Sequence, residues 1–360
     1  MSPRTSGTHV CVIGFGAAGR LHQRLLSDLG FDVSVVDPAP GAETPGVPVL
    51  GRIEDALRRR RVDVWSVCSP TATHVATVAQ VLDADPQARL LVEKPLCRAW
   101  EIPALTALLV AHPEARLVIM DQYRHSQAMA LLRTLRWELA PGHPLTAVRV
   151  GFGKDRREDI AGGRFVDHDF GVFGYEWLHM LALVRGALPP ETYDRYLATA
   201  PGEVTLHVAT DPELTSTAAH ERVSADGVEV DLYSTIVGPE PSGQVGVPDW
   251  FDGAVTAGES RQRRVEVVAG PVSLRLDLDP VTLPRGTRLP RNTHRLAVAG
   301  PQPRREWLVH DSPLDNALRW SVAALLSPDG PPGLDLRGVS RIGLLAETAH
   351  PAPRPRSVRT

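Results

Sequence analysis

The chain has 360 residues, room for two domains at about 150 residues each. Its 43% hydrophobic and 22% charged residues exclude a disordered chain and supply apolar surface for two cores. The net charge of −3 excludes a global basic field for nucleic acid. No apolar run approaches the roughly 18 residues of a membrane span, so no membrane association is expected. The polar start, 1–10, carries no secretory h-region. Three cysteines, Cys11, Cys68 and Cys97, are too few and odd in number for a disulfide framework, which fits buried thiols and a cytoplasmic location.

Of the 39 basic residues only Lys94 and Lys154 are lysines. We read the arginine bias, with the abundant Ala, Pro and Gly, as GC-rich codon usage. A lysine that persists against it is a candidate for work a guanidinium cannot do. An ammonium is a compact charge whose pKa can be lowered for proton transfer.

In chain order, 9–13 reads as a short apolar strand running into Gly14-Phe-Gly-Ala-Ala-Gly19. An amphipathic helix over 20–29 follows and ends at Gly30. A second strand, 33–36, ends at Asp37, 18 residues after Gly19. This is a GxGxxG loop in strand–turn–helix context. Gly14 permits the tight turn, Gly16 the approach of a pyrophosphate and Gly19 close helix–strand packing, with helix amides at Ala17 and Ala18 and the Phe15 backbone lining the phosphates. Asp37 can accept from both ribose hydroxyls and repels a 2′-phosphate. Pro38-Ala-Pro-Gly41 brings no arginine for one, so NAD is favoured over NADP. Alternation continues with helices at 54–60, 73–84 and 103–111 and strands at 62–68, 90–92 and 117–120, predicting a doubly wound parallel sheet over 1–123. The arginine run 58–61 reads as a solvated helix end.

After Arg124 the pattern changes. A helix over 128–139 is followed by strands at 146–152, 204–210, 228–237, 264–268, 272–278 and 295–298, then helices at 313–326 and 336–349. We expect an α+β domain, 124–350, around a large, mostly antiparallel sheet. The Pro/Arg-rich end, 351–360, is expected to be disordered.

Four features together, Gly19-Arg-Leu-His22 after the glycine loop, Ser69-Pro-Thr-Ala-Thr-His74, Glu93-Lys-Pro95 and the change to an antiparallel sheet, resemble the glucose–fructose oxidoreductase / inositol 2-dehydrogenase / MocA family over about 10–350. The resemblance implies cofactor contacts from Ser69, Thr71, His74, Glu93, Lys94 and Pro95, with Lys94 reaching the substrate oxygen that changes protonation and the peptide bond before Pro95 often cis. It places Arg124 near the substrate. It also implies an NAD(H)-dependent hydride transfer at a secondary alcohol or ketone of a small-molecule sugar, cyclitol or nucleotide-linked sugar, in a homodimer or homotetramer formed through the outer face of the second sheet. Two other activities stay open: an NAD-retaining glycoside-cleaving enzyme, and a non-catalytic NAD-sensing regulator.

A second family motif, Asp-x-x-x-His on a glycine-preceded helix, aligns here with Tyr175 and His179 in the segment 172–183. Tyr175 stands in the place of the aspartate, and Ala182 where a second aspartate is frequent. The segment is nearly all apolar, so its polar trio must find partners or line a cavity. On an α-helix Tyr175 and His179 share a face and Glu176 points about 100° away. The resemblance turns that face toward the nicotinamide, with the Lys94 ammonium near enough to acidify a phenol, so either Tyr175 or His179 could move the proton. Asp167-His168-Asp169 reads as a substrate-loop or solvated stretch, not a metal site. Lys154, Arg156, Arg157 and Arg164 could bind a phosphorylated or nucleotide-linked substrate, or simply face solvent.

Overall fold

The computed structural model describes residues 7–39, 46–163, 166–238, 245–251, 261–283, 286–301 and 303–349. Arg164, residues 40–45 and the 351–360 tail, each part of a reading above, lie outside them. The chain divides into two compact units, Met1–His125 with Leu314–Val339, and Ser126–Pro313 with Ser340–Thr360.

The first unit contains β1 (His9–Ile13), α1 (Ala17–Asp28), β2 (Asp32–Val36), β3 (Val49–Leu50), α2 (Ile53–Arg59), β4 (Val64–Val67), α3 (His74–Ala84), β5 (Arg89–Val92), α4 (Ile102–Ala111) and β6 (Arg116–Ile119). The strands form one parallel sheet in the order β3-β2-β1-β4-β5-β6. Because both faces of such a sheet are covered, its strands are continuous apolar runs whose alternate residues enter two cores. Cys11, Ile13, Trp65, Val67, Leu90 and Val92 pack with α2, α3 and α4 residues such as Ala56, Val78, Leu82 and Leu105. Val10, Val12, Val33, Val35 and Leu91 face the opposite layer. That layer includes Ala317, Leu318, Val322 and Leu325 of a late helix (Pro313–Leu326). The sequence reading groups that helix with the second domain. Its apolar stripe instead completes the first core. Strand order reverses between β1 and β4, which opens a crevice at the carboxyl ends of these strands.

The second unit contains α5 (Gln127–Leu139), β7 (Leu145–Gly153), α6 (Arg157–Ala161), a π-helical turn (Phe173–Trp177) leading into α7 (Leu178–Ala187), α8 (Pro190–Ala198), β8 (Thr205–Asp211), β9 (Thr215–Ala225), β10 (Val228–Thr235), β11 (Gln262–Ala269), β12 (Val272–Asp277), β13 (Thr293–Ala299) and β14 (Arg305–His310). The late helix is α9, and α10 (Arg337–Ala349) closes the chain. The eight strands run β14-β13-β12-β11-β7-β10-β9-β8, antiparallel except for the β7–β10 pair. Helices α5 and α7 pack on this sheet, and α8 lies against β9. On one side of the sheet Arg222, Asp231, Arg149, Glu266 and Arg275 stand opposite one another in register, alternating in charge across neighbouring strands. In the core Arg341 of α10 and Glu221 of β9 form a fully buried ion pair. Tyr196 Oη and Trp177 Nε1 donate to Glu221 at 2.9 and 3.3 Å, and Arg341 Nη1 donates to Thr199 O at 2.7 Å. The pair thereby ties strand, helices and π turn together.

Candidate functional site

The glycine loop is built for close approach. Gly14 has φ +89°, and a Cβ there would lie 2.8 Å from Ser69 N. A Cβ on Gly19 would lie 1.8 Å from Gly14 O, so both glycines answer the protein's own packing. Gly16 differs. No heavy atom lies within 4 Å of the Cβ it lacks, so the room it leaves is for something else. Gly16 is also the N-cap of α1, without a side-chain cap, and no acidic residue stands in the first turn. The helix amides at Ala17 and Ala18 thus face a space that suits a diphosphate. Asp37, half-buried at the end of β2, accepts from Phe15 N at 2.6 Å and from Ala39 N at 2.8 Å. It fastens the loop and sets a carboxylate at the end of β2. These residues fit a dinucleotide.

Two histidines hold the loops at the next strand ends. His74 opens α3 fully buried, its Nε2 2.7 Å from Ser69 O and its Nδ1 2.9 Å from Pro95 O. Burial pushes its pKa below the usual histidine value against the pull of those carbonyls. Thr71 is buried in the same turn, and Thr73 Oγ1 lies 3.0 Å from Ser69 Oγ. His22, on the buried face of α1, places Nε2 2.8 Å from Glu93 Oε1. The other Glu93 oxygen accepts from Lys94 N at 3.1 Å. Lys94 is half-buried, and the Lys94–Pro95 peptide is cis. From the sequence, His22 is visible only as the last residue of Gly19-Arg-Leu-His22. Its partner stands 71 residues away, and the one signal was its spacing three residues beyond Gly19. Arg124 is exposed, its guanidinium 5.7 Å from the Trp320 ring centre. Its neighbour His125 stacks on the same ring at 4.3 Å, and burial together with the Arg124 charge pushes the histidine pKa down to about 4.

In the second unit the segment carrying Tyr175 and His179 is capped by Asp167. Asp167 Oδ1 accepts from Asp169 N at 3.1 Å and Phe170 N at 2.9 Å. A Cβ on Gly174 would lie 2.0 Å from Asp167 Oδ2, so only glycine fits. His168 and Asp169 are exposed while Asp167 is buried, and among the described residues no three His, Cys, Asp or Glu side chains could hold a metal. Residues 173–177 wind as a wider π turn before α7, which corrects the expectation of one α-helix through Tyr175 and His179. Tyr175 is 5% exposed, and its Oη accepts from Asp167 N at 3.2 Å. The Arg156 guanidinium lies 5.1 Å from the Tyr175 ring centre and pairs with Glu176, which Arg263 also approaches at 3.6 Å. Tyr175 and Glu176, separated in the helical reading, are joined through Arg156. His179 is half-buried on α7. Lys154 Nζ pairs with Asp159, and Arg157 Nε donates to Asp155 at 3.0 Å, so these cations have carboxylate partners within their own segment.

Residues 8–120 match the model of an oxidoreductase family described as NAD-binding Rossmann fold. No curated protein matches the chain. Solved structures do. An oxidoreductase from Agrobacterium radiobacter, in complex with NAD+, L-tartaric acid and magnesium, is 12% identical, with 95% of this chain and 94% of that chain covered at a TM-score of 0.63. UDP-N-acetylglucosamine 3-dehydrogenase from Acidithiobacillus ferrooxidans is 18% identical, with 94% and 95% covered at a TM-score of 0.60. A 3-ketoreductase from Actinomadura kijaniata, in complex with TDP-benzene and NADP, is 13% identical, with 94% and 95% covered at a TM-score of 0.65. At these identities the likeness extends to the fold.

Proposed function

With residues 8–120 belonging to the NAD-binding Rossmann domain of the glucose–fructose oxidoreductase / inositol 2-dehydrogenase / MocA oxidoreductases, we propose that the chain moves hydride between NAD(H) and a secondary alcohol or ketone of a sugar or cyclitol, nucleotide-linked sugars foremost. The observation that carries this reading is the pairing of a diphosphate-ready glycine loop with Glu93-Lys94-Pro95 at the same edge of one sheet. The 3-ketoreductase and the UDP-sugar dehydrogenase above support the substrate class.

The nicotinamide, when bound, supplies the hydride acceptor or donor. Gly14–Gly19 hold the diphosphate, Asp37 the adenosine ribose, and Ser69, Thr71 and His74 shape the turn beside it. Lys94 Nζ donates to the reacting oxygen of the substrate and carries positive charge to where that oxygen becomes alkoxide-like. In the second unit Tyr175 Oη is the favoured proton group. The Asp167 amide donates to it and the Arg156 guanidinium covers its ring, surroundings that stabilise negative charge on the phenol oxygen. His179 orients substrate in this reading, and Arg124, Lys154 and Arg164 are secondary contacts. Self-association through the charge-alternating side of the second sheet belongs to the same proposal.

The test is a panel of keto and hydroxy nucleotide sugars, free sugars and cyclitols, assayed with NADH or NAD+ at 340 nm alongside product mass. Stoichiometric cofactor turnover with a two-hydrogen mass change supports the reading. Product formed by glycoside cleavage without net cofactor turnover contradicts it.

A further inference from the structure

The segment Glu93–Leu96 is gripped from two helices, by His74 from α3 and His22 from α1. The two grips differ in kind. His74 meets only backbone carbonyls, whereas His22 meets a carboxylate. The groups facing the His22 ring are Ser66 Oγ and Cys68 Sγ at Nδ1, at 2.9 and 3.3 Å, and Glu93 at Nε2. The ring is 1% exposed and the Glu93 side chain 19%. Burial works against a charge on His22, but the Cys68 sulfur and the Glu93 carboxylate overcome it and hold its pKa at about 10. Both Glu93 oxygens are thereby engaged, one by the imidazole and one by the amide of Lys94 itself.

That geometry bears on the lysine. A bare carboxylate at position 93 would hold the neighbouring Lys94 as an ammonium and oppose release of its proton. We propose that His22 is a positioning residue whose imidazolium pairs with Glu93, so that Lys94 stands beside a neutral ion pair, the pull of a bare carboxylate on its ammonium is cancelled, and its Nζ is left to donate to the reacting oxygen. The inference rests on the reading of Lys94 as the group that serves the substrate oxygen.

The scarcity of lysine makes the test direct. Protein grown with ε-¹³C-lysine carries label at Lys94 and Lys154 alone, so each can be titrated by NMR in the intact chain. His22→Gln keeps a donor for Glu93 but removes the charge, and should raise the Lys94 pKa by about half a unit or more. Glu93→Gln should lower it, and the double variant should return it toward the wild-type value. Lys154 should not move in any of them, and NADH affinity should stay within about threefold in His22→Gln. An unchanged Lys94 titration in folded His22→Gln, or shifts of the same sign in both single variants, overturns the proposal. Should His22→Gln fail to fold, ¹⁵N-histidine NMR of the wild-type chain decides. Both ring nitrogens of His22 protonated at pH 8 supports the proposal, and a neutral ring overturns it. Failure of the Lys94 reading shows separately, as undiminished turnover in Lys94→Arg.

Discussion

Lys94 and Lys154 are chemically identical residues in different settings, which makes them each other's control. Lys94 sits just past the end of β5, while Lys154 is paired with Asp159, its pKa lowered by burial and only partly restored by that carboxylate. Lys94→Arg keeps the charge but not the compact donor, and should cut turnover by about a hundredfold or more with NADH affinity nearly intact. Lys154→Arg should change turnover little. Equal losses would refute the reading of the lysine census. For the proton group, Tyr175→Phe should lose a factor of about 10² to 10⁴ in turnover with little effect on KM, because the ring still packs. His179→Asn should lose less, and mainly through KM. The reverse order would transfer the role to the histidine. The two gripping histidines also make opposite contributions to stability. His22 is raised from 6.5 to about 10, so its contribution is complete below pH 6.5 and lost as pH rises through 10. His74 is depressed, so its contribution is present above the ordinary histidine range and lost as pH falls through its folded value. Urea unfolding of wild type and His22→Gln from pH 6 to 10 should show their difference shrinking toward the alkaline end. A constant difference would contradict a charged His22. Motif spacing made the strand–turn–helix form of the glycine loop legible. The His22–Glu93 and Arg156–Tyr175 pairings were not, because side chains distant in sequence meet only once the sheets form.

At the scale of elements, legibility followed burial pattern. Five strands of the parallel sheet are apolar runs and were visible, whereas the two-residue, half-buried edge strand β3 was not. In the second unit β9 escaped notice because Thr-Ser-Thr-Ala-Ala-His-Glu-Arg-Val-Ser-Ala offers small and charged residues in place of a clear alternation. Its buried Glu221 is paired by Arg341, 120 residues later, and bonded by Tyr196 and Trp177 from elements outside the strand. Strand β14 was missed because it is an edge strand with Arg305, Glu306, Leu308 and His310 exposed. Helix α8 is short and amphipathic, with Tyr193 and Tyr196 as its buried anchors. The π turn is set by Asp167 beneath Gly174 and by Glu221 holding Trp177, neither of which is local to the helix pattern. Removing one partner of a fully buried pair strands the other's charge, so Arg341→Met should destabilise the fold by about 3 kcal/mol or more. Urea unfolding measures this, and a loss under about 1 kcal/mol would show that the pair does not anchor the unit. Replacing Arg341 and Glu221 together by apolar residues should recover much of the loss.

At the scale of the molecule, the order of a parallel nucleotide-binding sheet followed by a larger, mostly antiparallel one was readable from the change in alternation near residue 124. The membership of 314–339 in the first unit was not, since a helix's stripe does not say which sheet it will cover. What both units serve, in this account, is chemistry at NAD, and the charge of Asp37 is its most exposed commitment. Titration of the chain with NADH and with NADPH, followed by quenching of tryptophan fluorescence, measures that commitment without knowledge of the substrate. The account predicts NADH binding at least about tenfold tighter, a difference of about 1.4 kcal/mol. Equal or tighter binding of NADPH would contradict it.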